Sequence, residues 1–143
     1  MRYTHIMNSC TQQSQKTGLL FGTFDGIHRG HAFLINEAQA QVDTLFISVA
    51  HDDAVMTFKG RPPYEKQAVR MQKIREAFPE CTVIKGDKNT GEWSSIKKLS
   101  PHIVYVGYDQ NSLEQALIEI KNLYHFEIHK IKSFHPDIYK SSL

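Results

Sequence analysis

Two histidines three residues apart, His28 and His31, stand inside the segment Gly22-Thr23-Phe24-Asp25-Gly26-Ile27-His28-Arg29-Gly30-His31. Gly22, Gly26 and Gly30 leave little side chain there, so backbone N–H groups can approach a ligand closely. A helix beginning at His31 would add free N–H donors and a partial positive charge, which together suit phosphate. Two imidazoles at such a mouth point to donors aimed at charge that develops during phosphoryl or nucleotidyl transfer. Two plainer readings compete. A histidine pair at this spacing can ligate zinc, but no third and fourth ligand follow at sensible spacing, so no dedicated metal site is expected. The segment can also be a structural glycine-rich turn.

These residues need a strand to end before them and a helix to begin after them. Gly18-Leu19-Leu20-Phe21-Gly22 is a short buried-strand signal, and Phe33, Leu34, Glu37-Ala38 and Gln41-Val42 recur at helical spacing beyond it. Thr44 to Ala50 (TLFISVA) is β-branched and apolar, the pattern of a strand buried on both faces. A polar stretch from His51 to Pro63 follows and contains Lys59-Gly60-Arg61-Pro62-Pro63. The Pro-Pro pair predicts a long helix from Tyr64 to Phe78, with Ala68, Met71, Ile74 and Phe78 on one stripe.

Thr82-Val83-Ile84 reads as a third strand, 93–99 as a short helix, and Ile103-Val104-Tyr105-Val106-Gly107 as a fourth strand. Ser112 is the expected N-cap of a helix to Leu123, carrying Leu113, Ala116, Leu117 and Ile120. Phe126 to Ile131 alternates and reads as a last strand at an edge. Strands alternating with helices imply βαβ units, hence an α/β single-domain, doubly wound parallel sheet of Rossmann-like type. Such sheets bind ligands at the carboxyl ends of strands where the winding switches, which directs attention to the loops after Phe21 and Val106. Residues 1–17, rich in Asn, Ser, Thr and Gln, are expected to be a polar, flexible leader before a domain spanning 18–143.

Composition narrows the partners. With 143 residues, the chain has the length of one ordinary domain. Its 17 basic and 15 acidic residues leave a net charge of +2, too balanced to argue for nucleic acid or a membrane surface. The longest apolar runs fall far short of the ~20 residues of a membrane helix. Two cysteines, Cys10 and Cys81, make no disulfide framework, and the polar start lacks the apolar region of a signal peptide. A reducing cytoplasm is the expected setting. Of eight histidines, six stand in unrelated contexts; His28 and His31 do not.

GTFDGIHRGH resembles the signature of the HxGH nucleotidyltransferase superfamily, which includes cytidylyltransferases, pantetheine-phosphate and nicotinate adenylyltransferases, and FAD synthetases. The resemblance continues beyond that loop. Lys59-Gly60-Arg61-Pro62-Pro63, with Arg70 in the next helix, is similar to the middle region of the cytidylyltransferase-like branch. Val106-Gly107-Tyr108-Asp109-Gln110 looks like the strand-end motif of small archaeal-type FAD synthetases, and Ser141-Ser142 resembles the family's Ser-Ser/Thr segment. In the family that segment opens a C-terminal helix bearing a basic residue; here the sequence ends at Leu143, so that helix is expected to be missing.

The resemblance implies attack by a phosphate monoester on the α-phosphorus of a nucleoside triphosphate, releasing pyrophosphate. His28, His31 and Lys59 are then the expected catalytic residues, with Lys59 across the site on a mobile loop. Gly22, Thr23, Phe24, Asp25, Gly30, Gly107, Asp109, Ser141 and Ser142 are the expected nucleotide-binding set. Thr23 and Phe24 would act through backbone donors, Asp25 by fixing the loop or touching the nucleotide, and Asp109 by reaching the ribose or base. Arg70 would hold the acceptor or the triphosphate; otherwise it is a helix arginine in an ion pair. Mg²⁺ is expected as the counter-ion of the triphosphate. His51-Asp52-Asp53 reads as mostly structural, and Trp93, Tyr64 and Tyr108 could stack a ring or sit in core and rim.

Three functions follow from this. The first is an FMN adenylyltransferase, resembling FAD synthetase; the second is a cytidylyltransferase acting on glycerol 3-phosphate or a similar phosphorylated alcohol. The third, of another class, is a catalytically weak nucleotide-binding protein. The expected partners are ATP or CTP and a phosphorylated small molecule, with no nucleic acid and no membrane. Dimers are common among the proteins it resembles, so a homodimer is an expectation the sequence leaves open.

Overall fold

A computed structural model describes residues 15–132. Ser141, Ser142 and most of the expected leader lie outside the described residues. In chain order the elements are β1 (Thr17–Gly22), α1 (Arg29–Gln39), β2 (Thr44–Val49), α2 (Asp52–Lys59), α3 (Gln67–Ala77), β3 (Thr82–Lys85), α4 (Ser94–Leu99), β4 (Ile103–Val106), α5 (Asn111–Tyr124) and β5 (Glu127–Lys130). The strands form one sheet in the order β3-β2-β1-β4-β5, and every pairing is parallel. This is the doubly wound α/β arrangement that the alternation of elements predicts. None of the described helices is long and apolar enough to cross a membrane.

The two-residue period of the strands sorts their side chains into two cores. Leu20, Leu45, Ile47, Val49 and Tyr105 face α1 and α3, meeting Ile35, Ala38, Met71 and Ile74. Leu19, Val104 and Val106 face the other way, onto Ile96 of α4 and Leu117 of α5. Central strands covered on both sides need uninterrupted apolar runs, and β4 is buried at all four positions. β5 is an edge strand with exposed Glu127 and Lys130, in accord with its alternating sequence.

Four expectations need correction. The stretch from His51 to Pro63 is not a plain loop, because residues 52–59 form α2. His51 caps that helix by accepting the Asp53 N–H at 3.0 Å, Asp52 and Asp53 occupy its first turn, and Gly60 closes it at φ 74°. The next helix starts at Gln67 rather than Tyr64, because the Tyr64 and Glu65 N–H groups donate to the Asp25 carboxylate. Ser112 does not cap α5; that place falls to Gln110. β1 begins at Thr17, one residue before the expected strand. Lys16 donates its N–H to Asp43 at 2.6 Å, its carbonyl accepts from Asp43 and Thr44, and Thr17 already pairs with Thr44.

Candidate active site

β2 and β4 flank β1, and the chain winds outward from β1 in both directions, so a crevice opens at the carboxyl end of β1. His28 ends the loop that follows β1 as the extended N-cap of α1, placing the helix start at Arg29 rather than His31. Its Nδ1 accepts the Gly30 N–H at 3.1 Å, and the Nδ1 of His31 accepts the His28 N–H at 3.3 Å. Two imidazoles thus make the reciprocal capping box for which helices ordinarily use Ser/Thr and Glu. With both Nδ1 atoms accepting, the hydrogen-bond network leaves Nε2 as the donor nitrogen of each ring. The rings stack with centroids 3.8 Å apart and planes 20° from parallel.

Burial pushes His31 down to about 4, and the neighbouring His28 acts in the same direction. Asp109 and a hydrogen bond to the Gly26 backbone pull the other way and Lys59 adds to the depression, so Asp109 and Lys59 lie within electrostatic reach of the ring. His31 is therefore an uncharged donor at neutral pH. Phe24 backs it edge-on, with centroids 5.2 Å apart, from a left-handed backbone at φ 54°. That ring explains Gly22: a Cβ there would stand 2.5 Å from Phe24 Cε2.

Asp25 braces the loop rather than opening onto free space. Burial opposes its charge, but the N–H groups of Tyr64 and Glu65 and the guanidinium groups of Arg70 and Arg61 outweigh it, so its carboxyl sits below the ordinary range. Arg70 departs from its expected place at the acceptor. It is fully buried and does not line the cleft. Its Nε donates to the Glu65 carbonyl at 2.8 Å, one terminal nitrogen to the Thr23 carbonyl at 2.8 Å, and the other to Asp52 Oδ1 at 2.6 Å. The same Asp52 oxygen accepts the Gln67 N–H. The structural reading of Asp52 and the ion-paired reading of Arg70 describe these contacts.

Lys59 is the last residue of α2 and not part of a loop. It is exposed, lines the cleft, and sits at a helix C-terminus, where a cation is favoured. On the β4 side, Gln110 links the two loops of the crevice. Its Oε1 accepts the Gly107 N–H at 2.7 Å, and its Nε2 donates to the Phe21 carbonyl at 3.0 Å. Gln110 has no expected role from the sequence; its place between the end of β4 and the start of α5 was the available signal.

One cleft of about 1010 Å³ brings together most of the expected residues. His28, His31 and Lys59 line it, as do Gly22, Thr23, Phe24, Asp25, Gly30, Gly107 and Asp109. Tyr108 and Trp93 reach its wall, whereas Tyr64 is 81% exposed with the Arg61 guanidinium 4.4 Å above its ring. Chemically the cleft offers imidazole donors, a helix N-terminus and an ammonium group around one opening, an arrangement suited to a polyanion. Among the described residues no group of three or more His, Cys, Asp and Glu side chains is placed to hold a metal ion.

The chain matches the cytidylyltransferase-like family over residues 19–142. It is 34% identical to an FAD synthase of Thermococcus sibiricus over 68% of its own length and 66% of that protein. It is also 34% identical to an FAD synthase of Pyrococcus abyssi, over 63% of its length and 61% of the relative. The chain thus spans slightly less than two thirds of these curated relatives. Among solved structures, a lipopolysaccharide core biosynthesis protein of Thermoplasma volcanium superposes with a TM-score of 0.69 at 24% identity, covering 82% of this chain and 95% of that one. A pantoate-β-alanine ligase of Francisella tularensis superposes at 0.58 and 15% identity, covering 90% of this chain and 62% of the ligase. Those two likenesses concern the fold. The match over residues 19–142 concerns the family as well: this chain belongs to the cytidylyltransferase-like family of nucleotidyltransferases.

Proposed function

We propose that the protein is an FMN adenylyltransferase, joining the phosphate of FMN to the adenylyl group of ATP. The observation that carries this reading is the imidazole capping box of His28 and His31, facing a cleft that also contains Lys59. The similarity to two archaeal FAD synthases supports the choice of acceptor. An FMN phosphate oxygen attacks the α-phosphorus of ATP, a new P–O bond forms, and the bond from the α-phosphorus to the bridging oxygen breaks. Pyrophosphate leaves with that electron pair. A phosphate monoester loses its second proton near pH ~6, so the attacking group is already anionic and needs no strong base.

The protein's part is positioning and charge stabilisation. His28 and His31 donate to oxygens of the transferring and leaving phosphates, and Lys59 supplies positive charge to the α-phosphate. The loop after β1 adds backbone donors at Thr23 and Phe24. Asp109 and Gly107 border the space for the nucleoside, as the ends of β4 should in a sheet of this winding. Mg²⁺ enters with ATP as part of the substrate, taking most of its ligands from phosphates and water. The proposed setting is a reducing cytoplasm, consistent with the free, buried Cys81.

A pyrophosphate-release screen with Mg²⁺ tests the assignment, pairing ATP and CTP with FMN, glycerol 3-phosphate and phosphopantetheine. ATP with FMN is the expected active pair. Activity of CTP with glycerol 3-phosphate would replace both substrate assignments while retaining the transfer chemistry. Silence of every pairing would leave the nucleotide-binding reading in place of the enzyme.

A further inference from the structure

The cleft is chemically uneven from end to end. Near His28 and Lys59 it is polar and cationic, whereas towards the ends of β2 and β3 small residues are interspersed with the polar Asp87, Asn89 and Thr90. Ala50, Ala54, Gly86 and Gly91 lie there, and Phe58 and Trp93 are the large groups among them. Gly86 is held small by its surroundings, since a Cβ would stand 2.8 Å from the Val49 carbonyl oxygen. Trp93 is held in place by Phe21, edge-on at 5.7 Å. Phe58 is different: it is 56% exposed although it lines a cleft, an unfavourable situation for a phenyl ring in the free protein.

Phe58 also directly precedes Lys59 in the last turn of α2. One helix end therefore supplies both an apolar ring and the cation proposed for the phosphate. A ligand using both must carry a flat apolar body at one end and a phosphate at the other. Glycerol 3-phosphate has no such body and would leave this end of a cleft of about 1010 Å³ unfilled. We infer that Phe58 and Trp93 border an acceptor subsite for a planar fused-ring phosphate monoester, with Phe58 selecting the ring. The inference rests on the FMN reading above and gives it residues: the isoalloxazine ring lies against Phe58, and its phosphate reaches the histidines.

Phe58 is exposed, so Phe58→Ala should leave folding intact while removing the ring contact. The binding probe is FMN without nucleotide, followed by the quenching of flavin emission on stacking. Phe58→Ala is expected to weaken FMN binding by roughly 5- to 10-fold, the scale of one aromatic stack. In turnover it should raise the KM for FMN and leave the KM for ATP unchanged. Phe58→Tyr should restore both, and riboflavin should bind where glycerol 3-phosphate does not compete. Unchanged FMN affinity in Phe58→Ala, or complete displacement of the flavin by ATP alone, overturns the subsite. Binding that depends on Phe58 without pyrophosphate release from any nucleotide would retain the subsite and overturn the transfer reaction instead.

Discussion

The Nδ1 of His28 accepts the Gly30 N–H, and the Nδ1 of His31 accepts the N–H of His28 itself, so each imidazole holds the turn that carries the other. Structure and chemistry are thereby divided between the two nitrogens of each ring. Nδ1 shapes the helix start, and Nε2 keeps the proton, which His31 offers to the Gly26 backbone until a phosphate oxygen takes its place. The positive end of α1 adds to the same point.

This division makes substitutions at His28 separable. His28→Ala removes the cap and the donor together. It should cost about 1 kcal/mol of stability and lower turnover by ~10²-fold or more. His28→Asn keeps a good N-cap side chain, so its melting temperature should stay close to that of the parent while turnover remains low. Thermal unfolding and pyrophosphate release on both variants check the separation. Parental turnover in His28→Asn would remove the ring from the mechanism.

His31 couples the site to pH through its burial. Its folded value of about 4 lies below the 6.5 of a free imidazole, so the unfolded chain takes up a proton that the folded chain refuses. The folded state is therefore favoured fully above about 6.5, and stability is lost as pH falls from there towards 4; below that both states are protonated. His31→Gln should lose this part of the acid sensitivity. Melting temperatures of parent and variant between pH 8 and pH 4 measure it. The gap between them should move in favour of His31→Gln as the pH falls, and a constant gap would contradict the neutral, buried ring.

What the sequence makes legible here is local. GTFDGIHRGH contains its own glycines, its own cap and its own donors within ten residues, so strand end, helix start and phosphate chemistry can be read together. α2 was equally local, with His51 at its cap, acidic Asp52 and Asp53 in its first turn, Lys59 in its last and Gly60 after it. The exposed Met56, Thr57 and Phe58 and the following Pro62-Pro63 masked its periodicity, because a short helix beside a cleft buries only Ala54 and Val55. Arg70 was legible only as a helix arginine in an ion pair, without its burial or its partners. Its burial depends on Thr23, 47 residues away, and on Asp52, 18 residues away, and such partners leave no periodic mark on the chain. Asp25 was legible as a loop brace but not its partners Tyr64 and Glu65, and the role of Gln110 was hidden for the same reason, since each bridges segments far apart in sequence.

Arg70 supplies the last prediction, because its contacts join the three segments that build the site. It ties the carbonyl of Thr23 in the phosphate loop to the start of α2 and to the approach to α3. It is thus a positioning residue for the loop carrying His28 and for the helix carrying Lys59. Arg70→Met keeps much of the volume but leaves two carbonyls and Asp52 without their donor. A loss of about 3–5 kcal/mol, or roughly 10 °C or more in Tm, is expected with no substrate present. Asp52→Asn keeps an oxygen for both Gln67 and Arg70 and removes only the charge of a partly exposed group, so about 1 kcal/mol is expected. In that milder variant kcat should fall and the KM for FMN should rise together, since α2 carries both Lys59 and Phe58. The opposite pattern, parental stability in Arg70→Met with only the acceptor KM raised, would return Arg70 to the acceptor-binding role that the sequence alone suggested.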